Sequence, residues 1–276
     1  MQPAIVIKKQ AKESLGGKWT MGISIAFVML GMFFIGISVW SLFGALLKPF
    51  LSDLSAFFVS LIPVVLLWQF LGVPLLYGTL RWCWYMSGGE NVPFVEIFYY
   101  LGSGKNYFRA ISLGFRIFLR ILIILALCFS PSIIIAIICM PKFYSLFGFS
   151  MPYFVSSLWA LGNVLEFFGA TISVILLIRY VPSPILLIND EKISPQEALS
   201  LSVIISKYAN GRTLGFLFSF FFWAILSFLV IPLLYVIPFF LVSYCIYCRS
   251  LIDNYNKIVA FENSKIYPNY EPYTFR

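Results

Sequence analysis

A carboxylate in the middle of an apolar run is the residue of this sequence with the most chemistry to explain. Glu166 alone interrupts the otherwise uncharged stretch from Phe143 to Ile178 and lies 13 residues before Arg179. On a helix rising about 1.5 Å per residue that is a depth of about 20 Å. A charge so deep in a bilayer costs about 3 kcal/mol on insertion scales, so the side chain must face other helices, pair or carry a proton. Arg120 is 11 residues past Arg109, about 16 Å along its own helix, a comparable depth if Arg109 and Arg179 share a level. Two arrangements follow. In one, Arg120 and Glu166 form an interhelical ion pair. In the other, Arg116 and Arg120, four apart on one face, reach back to the cytoplasmic surface and Glu166 is protonated. Asn163 and Gln69 complete the set of intramembrane polar candidates.

Other chemistry has little to work with. Histidine is absent, which removes the commonest general base and metal ligand. Cys245-x-x-Cys248 has no second such pair and no histidine partner, so it reads as two small helix-facing residues rather than a metal or redox site. Gly102-Ser-Gly104-Lys105 lacks the phosphate-loop pattern and reads as a flexible joint. There is no serine-nucleophile elbow, zinc motif or pair of carboxylates suited to hydrolysis. The expectation is a protein that is not an enzyme and needs no cofactor or metal. Gly162, Glu166, Gly169 and Ser173 step by four, three and four, which places them on one helix face. Small residues there let backbones approach closely, so a packing seam is favoured over a substrate path.

The elements that must carry these residues are membrane helices. Apolar residues make up 61% of the chain and charged ones 11%, against about 25% charged in soluble domains. The surplus apolar surface must face lipid. A hydrocarbon core of about 30 Å needs about 20 helical residues, and the gaps between charges supply spans at about 20–47, 57–79, 117–140 and 153–180. The 36 uncharged residues from Thr213 to Cys248 contain Pro232 and Pro238, where a tight turn would divide them into spans at 214–231 and 236–252. Charge agrees with that division. With six spans and both termini cytoplasmic, 17 of the 19 basic residues lie inside and only Lys48 and Lys142 outside; merging the last two spans weakens the asymmetry. The net charge of +8 is thus spread along every cytoplasmic segment. This reads as orientation and contact with anionic lipid, and nucleic acid is not an expected partner.

The predicted fold is all-α, a polytopic bundle of six transmembrane helices with short amphipathic cytoplasmic helices. Residues 1–255 form a single integral membrane domain and 256–276 a polar cytoplasmic tail, disordered or lying on the membrane surface. The first apolar run is too long for a signal-peptide core and is expected to remain as an anchor. Outer loops are short, at about Lys48–Ala56, Lys142–Pro152 and Pro232–Ile237. Two cytoplasmic segments open with helix-start chemistry: Asn91-Val-Pro-Phe-Val-Glu96 and, more cleanly, Ser194-Pro195-Gln-Glu197. Glu96 to Gly114 and Glu197 to Gly215 are each 18 residues apart. That spacing points to a repeated unit, an amphipathic helix followed by a helical hairpin, with Ala4–Lys18 opening a third copy.

The chain resembles an uncharacterised family of bacterial integral membrane proteins, common in Firmicutes and described as a domain of unknown function. The resemblance rests on Ile7-Lys-Lys-Gln-Ala-Lys12-Glu-Ser-Leu15, on Gly72-Val-Pro-Leu-Leu-Tyr-Gly78, on Phe94-Val-Glu96-Ile-Phe98 leading to Tyr107-Phe-Arg109, and on Gln196-Glu197-Ala198-Leu199-Ser200-Leu201-Ser202. It covers nearly the whole chain and implies a multi-span membrane fold with no known activity. The family often carries a lysine–glycine–histidine cluster before the fifth span; here the text is Tyr208-Ala-Asn-Gly211-Arg212-Thr, so no histidine role carries over.

Two functions fit. The first is a non-enzymatic scaffold, an assembly or membrane-organising protein of the bacterial plasma membrane, with anionic lipid at its cytoplasmic face and a protein partner or a second copy as companions. The alternative is a transporter or channel for a small solute or lipid with Glu166 in the bundle interior. Gln69, Asn163, Glu166 and Arg120 are few for an aqueous route, which puts the scaffold ahead.

Overall fold

The structure, a computed structural model, describes residues 2–139, 152–207, 209–227 and 230–266. Every element among them is helical, and the elements fall into three units, the third with two short helices in place of a long first arm. The first unit is α1 (Ala4–Ser14), α2 (Trp19–Leu47) and α3 (Asp53–Leu67), which runs through a π turn at Trp68–Gly72 into α4 (Val73–Ser87). The second opens with a 3-10 turn (Phe94–Phe98) and the single turn α5 (Tyr99–Gly102). It continues as α6 (Gly104–Ile138) and α7 (Pro152–Leu177), which passes through a 3-10 turn at Ile178–Tyr180 to α8 (Ser183–Asn189). The third is α9 (Pro195–Lys207), α10 (Asn210–Phe218), α11 (Phe221–Leu226) and α12 (Val230–Ile266).

Five helical stretches are long and apolar enough to cross a membrane: Trp19–Leu47, Asp53–Ser87, Gly104–Ile138, Ser156–Asn189 and Pro232–Ala260. A sixth is reached if α9 and 210–226, bent by 89° from each other, count as one. The chain is an all-α membrane bundle. Its outer helices show large apolar side chains on their free faces, among them Phe33, Phe34, Leu127, Phe167 and Phe168. In water such a surface would aggregate; in a bilayer it is solvated by acyl chains.

Three expectations need correction. The stretch read as span five at 214–231 is broken at Ser219–Phe220 into α10 and α11. The loop read at Pro232–Ile237 is helical and belongs to α12, because Pro232 falls in the first turn, where its missing N–H costs nothing. The tail read from 256 onward continues as helix to Ile266; 267–276 lies outside the described residues, as does the loop read at Lys142–Pro152 except for Pro152, which opens α7. At Asn91–Glu96 the proline starts only a 3-10 turn, whereas Ser194 and Glu197 form a full capping box. There the Glu197 N–H donates to Ser194 Oγ at 3.2 Å, and the Ser194 N–H donates to Glu197 Oε2 at 2.9 Å.

The core sits at one end of the bundle. It is built from the last stretches of the three return helices: α4, nearly all of it buried, α8, and Val242–Ile252 of α12. The openers cover it. Ile7, Ala11 and Leu15 recur every four residues and pack inward from the α1 segment, while Ala198, Leu199, Ser202, Ile205 and Ser206 do so from α9. Away from this end α2 pairs with α3 and α6 with α7.

Prolines interrupt the first two return helices, and the freed carbonyls find donors. Pro74 has no N–H for the Phe70 carbonyl, which instead accepts from the Tyr107 hydroxyl of α6 at 3.0 Å. Pro184 leaves the Tyr180 carbonyl to the Ser183 hydroxyl at 2.7 Å. In the same break the Arg179 carbonyl accepts from Ser206 at 3.2 Å and the Val181 carbonyl from Tyr244. Each break is therefore stitched to a neighbouring unit.

Two glycines permit the closest approaches. A Cβ at Gly78 would lie 1.9 Å from the Ile97 carbonyl oxygen, so only glycine lets the 3-10 turn rest on α4. A Cβ at Gly114 would lie 2.6 Å from Val73 Cγ1 and 3.2 Å from Gln69 Nε2, at the π turn. Gly78→Ala is expected to destabilise the protein by about 3 kcal/mol or more, since backbone must move. Gly31→Ala, on an open helix face, is expected to be neutral or to gain up to about 1 kcal/mol. Thermal unfolding in detergent checks both.

Candidate functional site

The most connected polar cluster lies where the three units meet, and its centre is Arg81. Asp53 starts the helical stretch 28 residues earlier, so Arg81 is about 42 Å along it, beyond a hydrocarbon core of about 30 Å. The residue is 9% exposed. Its Nε donates to Glu96 Oε1 at 2.7 Å and its Nη1 to Glu191 Oε1 at 3.2 Å. The guanidinium lies 3.8 Å from the centre of the Tyr99 ring and 5.0 Å from that of Tyr85, geometry that favours cation–π attraction. The Tyr99 hydroxyl in turn donates to Glu191 Oε1 at 3.0 Å and accepts from Asn106 Nδ2 at 2.8 Å.

Arg109 closes the circuit. Its Nη2 donates to the carbonyls of Asp190 at 3.1 Å and Ile193 at 2.8 Å. The first turns of α6 therefore hold the link between α8 and α9. The Tyr99 hydroxyl, and then Arg81, hold the Glu191 carboxyl below the usual carboxylate range. Burial pushes the Tyr100 hydroxyl up to about 12, which keeps it neutral beside the cation.

None of these residues stands out in the sequence as a site, because Arg81 reads there as one more orienting charge. The signal was present in Leu80-Arg81-Trp82-Cys83-Trp84, a lone cation flanked by large apolar residues that must be buried with it, and in Glu96.

The residues singled out from the sequence are not gathered into one place. The Arg120–Glu166 ion pair is not formed: among the described residues Arg81 makes the only ion pairs. Arg120 lies 5.4 Å from the centre of the Tyr180 ring, toward the core end. Arg116 reaches the same way and donates to Gln196 Oε1 of α9 at 3.0 Å. The side chains turn to the nearer polar end, as long basic residues do. Glu166 and Asn163 are exposed rather than interior and line a groove of about 310 Å3 between α6 and α7 with Ser132 and Trp159. The seam beside them is tight: Gly162 meets Ile135, and a Cβ at Gly169 would lie 2.5 Å from the Cys128 carbonyl oxygen. Gln69 is buried at the π turn, where its Nε2 donates to the Ile111 carbonyl at 2.9 Å; it fastens α6 to the first hairpin and faces no path. Cys245 and Cys248 are buried free thiols, and Cys245 Sγ lies 3.6 Å from the Leu80 carbonyl.

Glu96 is largely covered and Glu191 is not, with side-chain exposures of 25% and 58%. Glu96→Gln is expected to cost about 3 kcal/mol by leaving Arg81 short of charge, and Glu191→Gln under about 1 kcal/mol. Because the folded Glu191 value is depressed, its contribution is complete at neutral pH. It is lost as pH falls below about 4.3 and through the lower folded value. Thermal unfolding between pH 7 and pH 3 should show a steeper acid loss for the wild type than for Glu191→Gln. No family model, curated protein or solved structure matches the chain.

Proposed function

We propose that the chain is a non-enzymatic membrane scaffold, an assembly or membrane-organising protein of the bacterial plasma membrane with both termini in the cytoplasm. Membership in the Firmicute-type family that it resembles is part of the proposal. One observation carries it. The helices are gathered at one end only, and the apolar window of α6 has no residue buried within the chain. Leu127 is 69% exposed and Phe167 71%. A hairpin of this kind offers its flanks to acyl chains or to helices of a partner, where close packing of small and apolar residues drives association. The orientation is supported by the basic residues, which cluster at the core end (Lys8, Lys12, Arg81, Arg109, Arg249), while Lys48 lies at the opposite turn between α2 and α3.

The second reading, passage of a small solute or lipid, is favoured by Glu166 and Asn163 in their groove, since a carboxylate at that depth calls for polar company. Two measurements divide the readings. An impermeant maleimide added to intact cells should label Lys48→Cys, and should label Lys12→Cys and Lys257→Cys only after the membrane is opened; the reverse pattern contradicts the orientation. A photo-crosslinker at Leu127 should give a discrete membrane-protein adduct that weakens at least tenfold with Phe167→Ala. Adducts to lipid alone, together with a solute flux in vesicles that Glu166→Gln abolishes, would favour transport instead.

A further inference from the structure

The polar clefts at the core end contain a cation that makes no direct ion pair among the described residues. Arg249 of α12 stacks on Trp84, 4.4 Å from the ring centre, and its Nη2 donates to the Trp84 carbonyl at 3.0 Å. Its Nε is buried and has no hydrogen-bond partner. No carboxylate among the described residues lies within ion-pair distance of it. A buried guanidinium nitrogen left in this state is costly unless something else satisfies it.

Arg249 also stands between two cavities. One, of about 630 Å3, lies under α1 and is lined by Arg249, Lys257, Asp253, Glu13, Ser250 and Asn254. The other, of about 370 Å3, lies beside the end of α4 and brings Arg249 and Asp253 together with Asn189 and Asn256. Both volumes suit a small molecule or a headgroup. The larger cavity carries two cations and two carboxylates, with neutral donors and acceptors between them. Arg249 meets Trp84, three residues past Arg81, so it sits at the same polar end of the bundle.

We propose that this cleft binds a zwitterion of the phosphoethanolamine type. The phosphate lies toward the part of the Arg249 guanidinium that lines the cavity and toward Lys257, and the ammonium lies toward Asp253 and Glu13. Arginine suits the phosphate because its planar fork places two parallel donors on two oxygens. The same chemistry is supplied by a phosphatidylethanolamine headgroup of the inner leaflet or by soluble phosphoethanolamine. The site does not depend on the scaffold role.

The test uses the purified full chain in detergent, with dihexanoyl phosphatidylethanolamine, dihexanoyl phosphatidylglycerol, phosphoethanolamine and inorganic phosphate as probes, read by native mass spectrometry. The wild type is expected to bind the phosphatidylethanolamine. Arg249→Gln is expected to weaken it about tenfold or more, and Arg249→Lys by less. Asn254→Trp fills the larger cavity, leaves the Arg249–Trp84 stack in place and decides the matter if Arg249→Gln does not fold. Displacement of the lipid by an equal concentration of phosphoethanolamine identifies a soluble ligand, and resistance to it identifies a headgroup site. Asp253→Asn should erase the preference for phosphatidylethanolamine over phosphatidylglycerol; an unchanged preference overturns the zwitterion assignment. Equal binding by the wild type, Arg249→Gln and Asn254→Trp, or no binding of any probe by the wild type, overturns the site.

Discussion

The structure turns on one buried guanidinium. Arg81 reaches two carboxylates and two aromatic rings, and these come from the end of the first unit, from the opener of the second and from the link to the third. Bringing a cation out of water costs several kcal/mol before its partners are counted. A site satisfied from three directions restores that cost only when all three segments are in place. The network therefore specifies one arrangement of otherwise similar apolar helices, which in lipid have no hydrophobic force of their own to choose neighbours.

The other contacts at the core end obey the same constraint. Backbone carbonyls at the helix breaks need donors, and in this chain they take them from neighbouring units, as Phe70, freed by Pro74, does from Tyr107, and Val181 from Tyr244. Lys8 of α1 acts alike at the break between α10 and α11: it donates to the Ser219 carbonyl and sits 4.3 Å from the centre of the Phe220 ring. Burial there holds its ammonium below the usual lysine range. Polar closure at one end leaves the other ends of the hairpins free to answer to the bilayer or to a partner.

Much of the architecture was legible from charge and apolar length, because a bilayer imposes both. The four long outer helices and the capping box at Ser194 were readable in the chain. The last hairpin was misdivided because Pro232 in a first helical turn looks, in sequence, the same as a proline that ends a helix. The cluster around Arg81 was missed for a different reason. Its members Arg81, Glu96, Tyr99, Arg109 and Glu191 are spread over 111 residues, and each has an ordinary explanation when read alone. The isolation of Glu166 is visible in one line of sequence; nothing in that line shows which way a side chain turns, and Arg116 and Arg120 both turn toward the core end.

Arg81 fastens the three units at that end, while the apolar hairpins stand without it. Hydrogen exchange of Arg81→Met in a lipid nanodisc tests this most directly. Amides in 94–102 and 190–197 are expected to exchange at least tenfold faster than in the wild type, while those in 115–135 and 158–175 keep their protection. Unchanged exchange in the junction segments, or equal loss throughout α6 and α7, would contradict it.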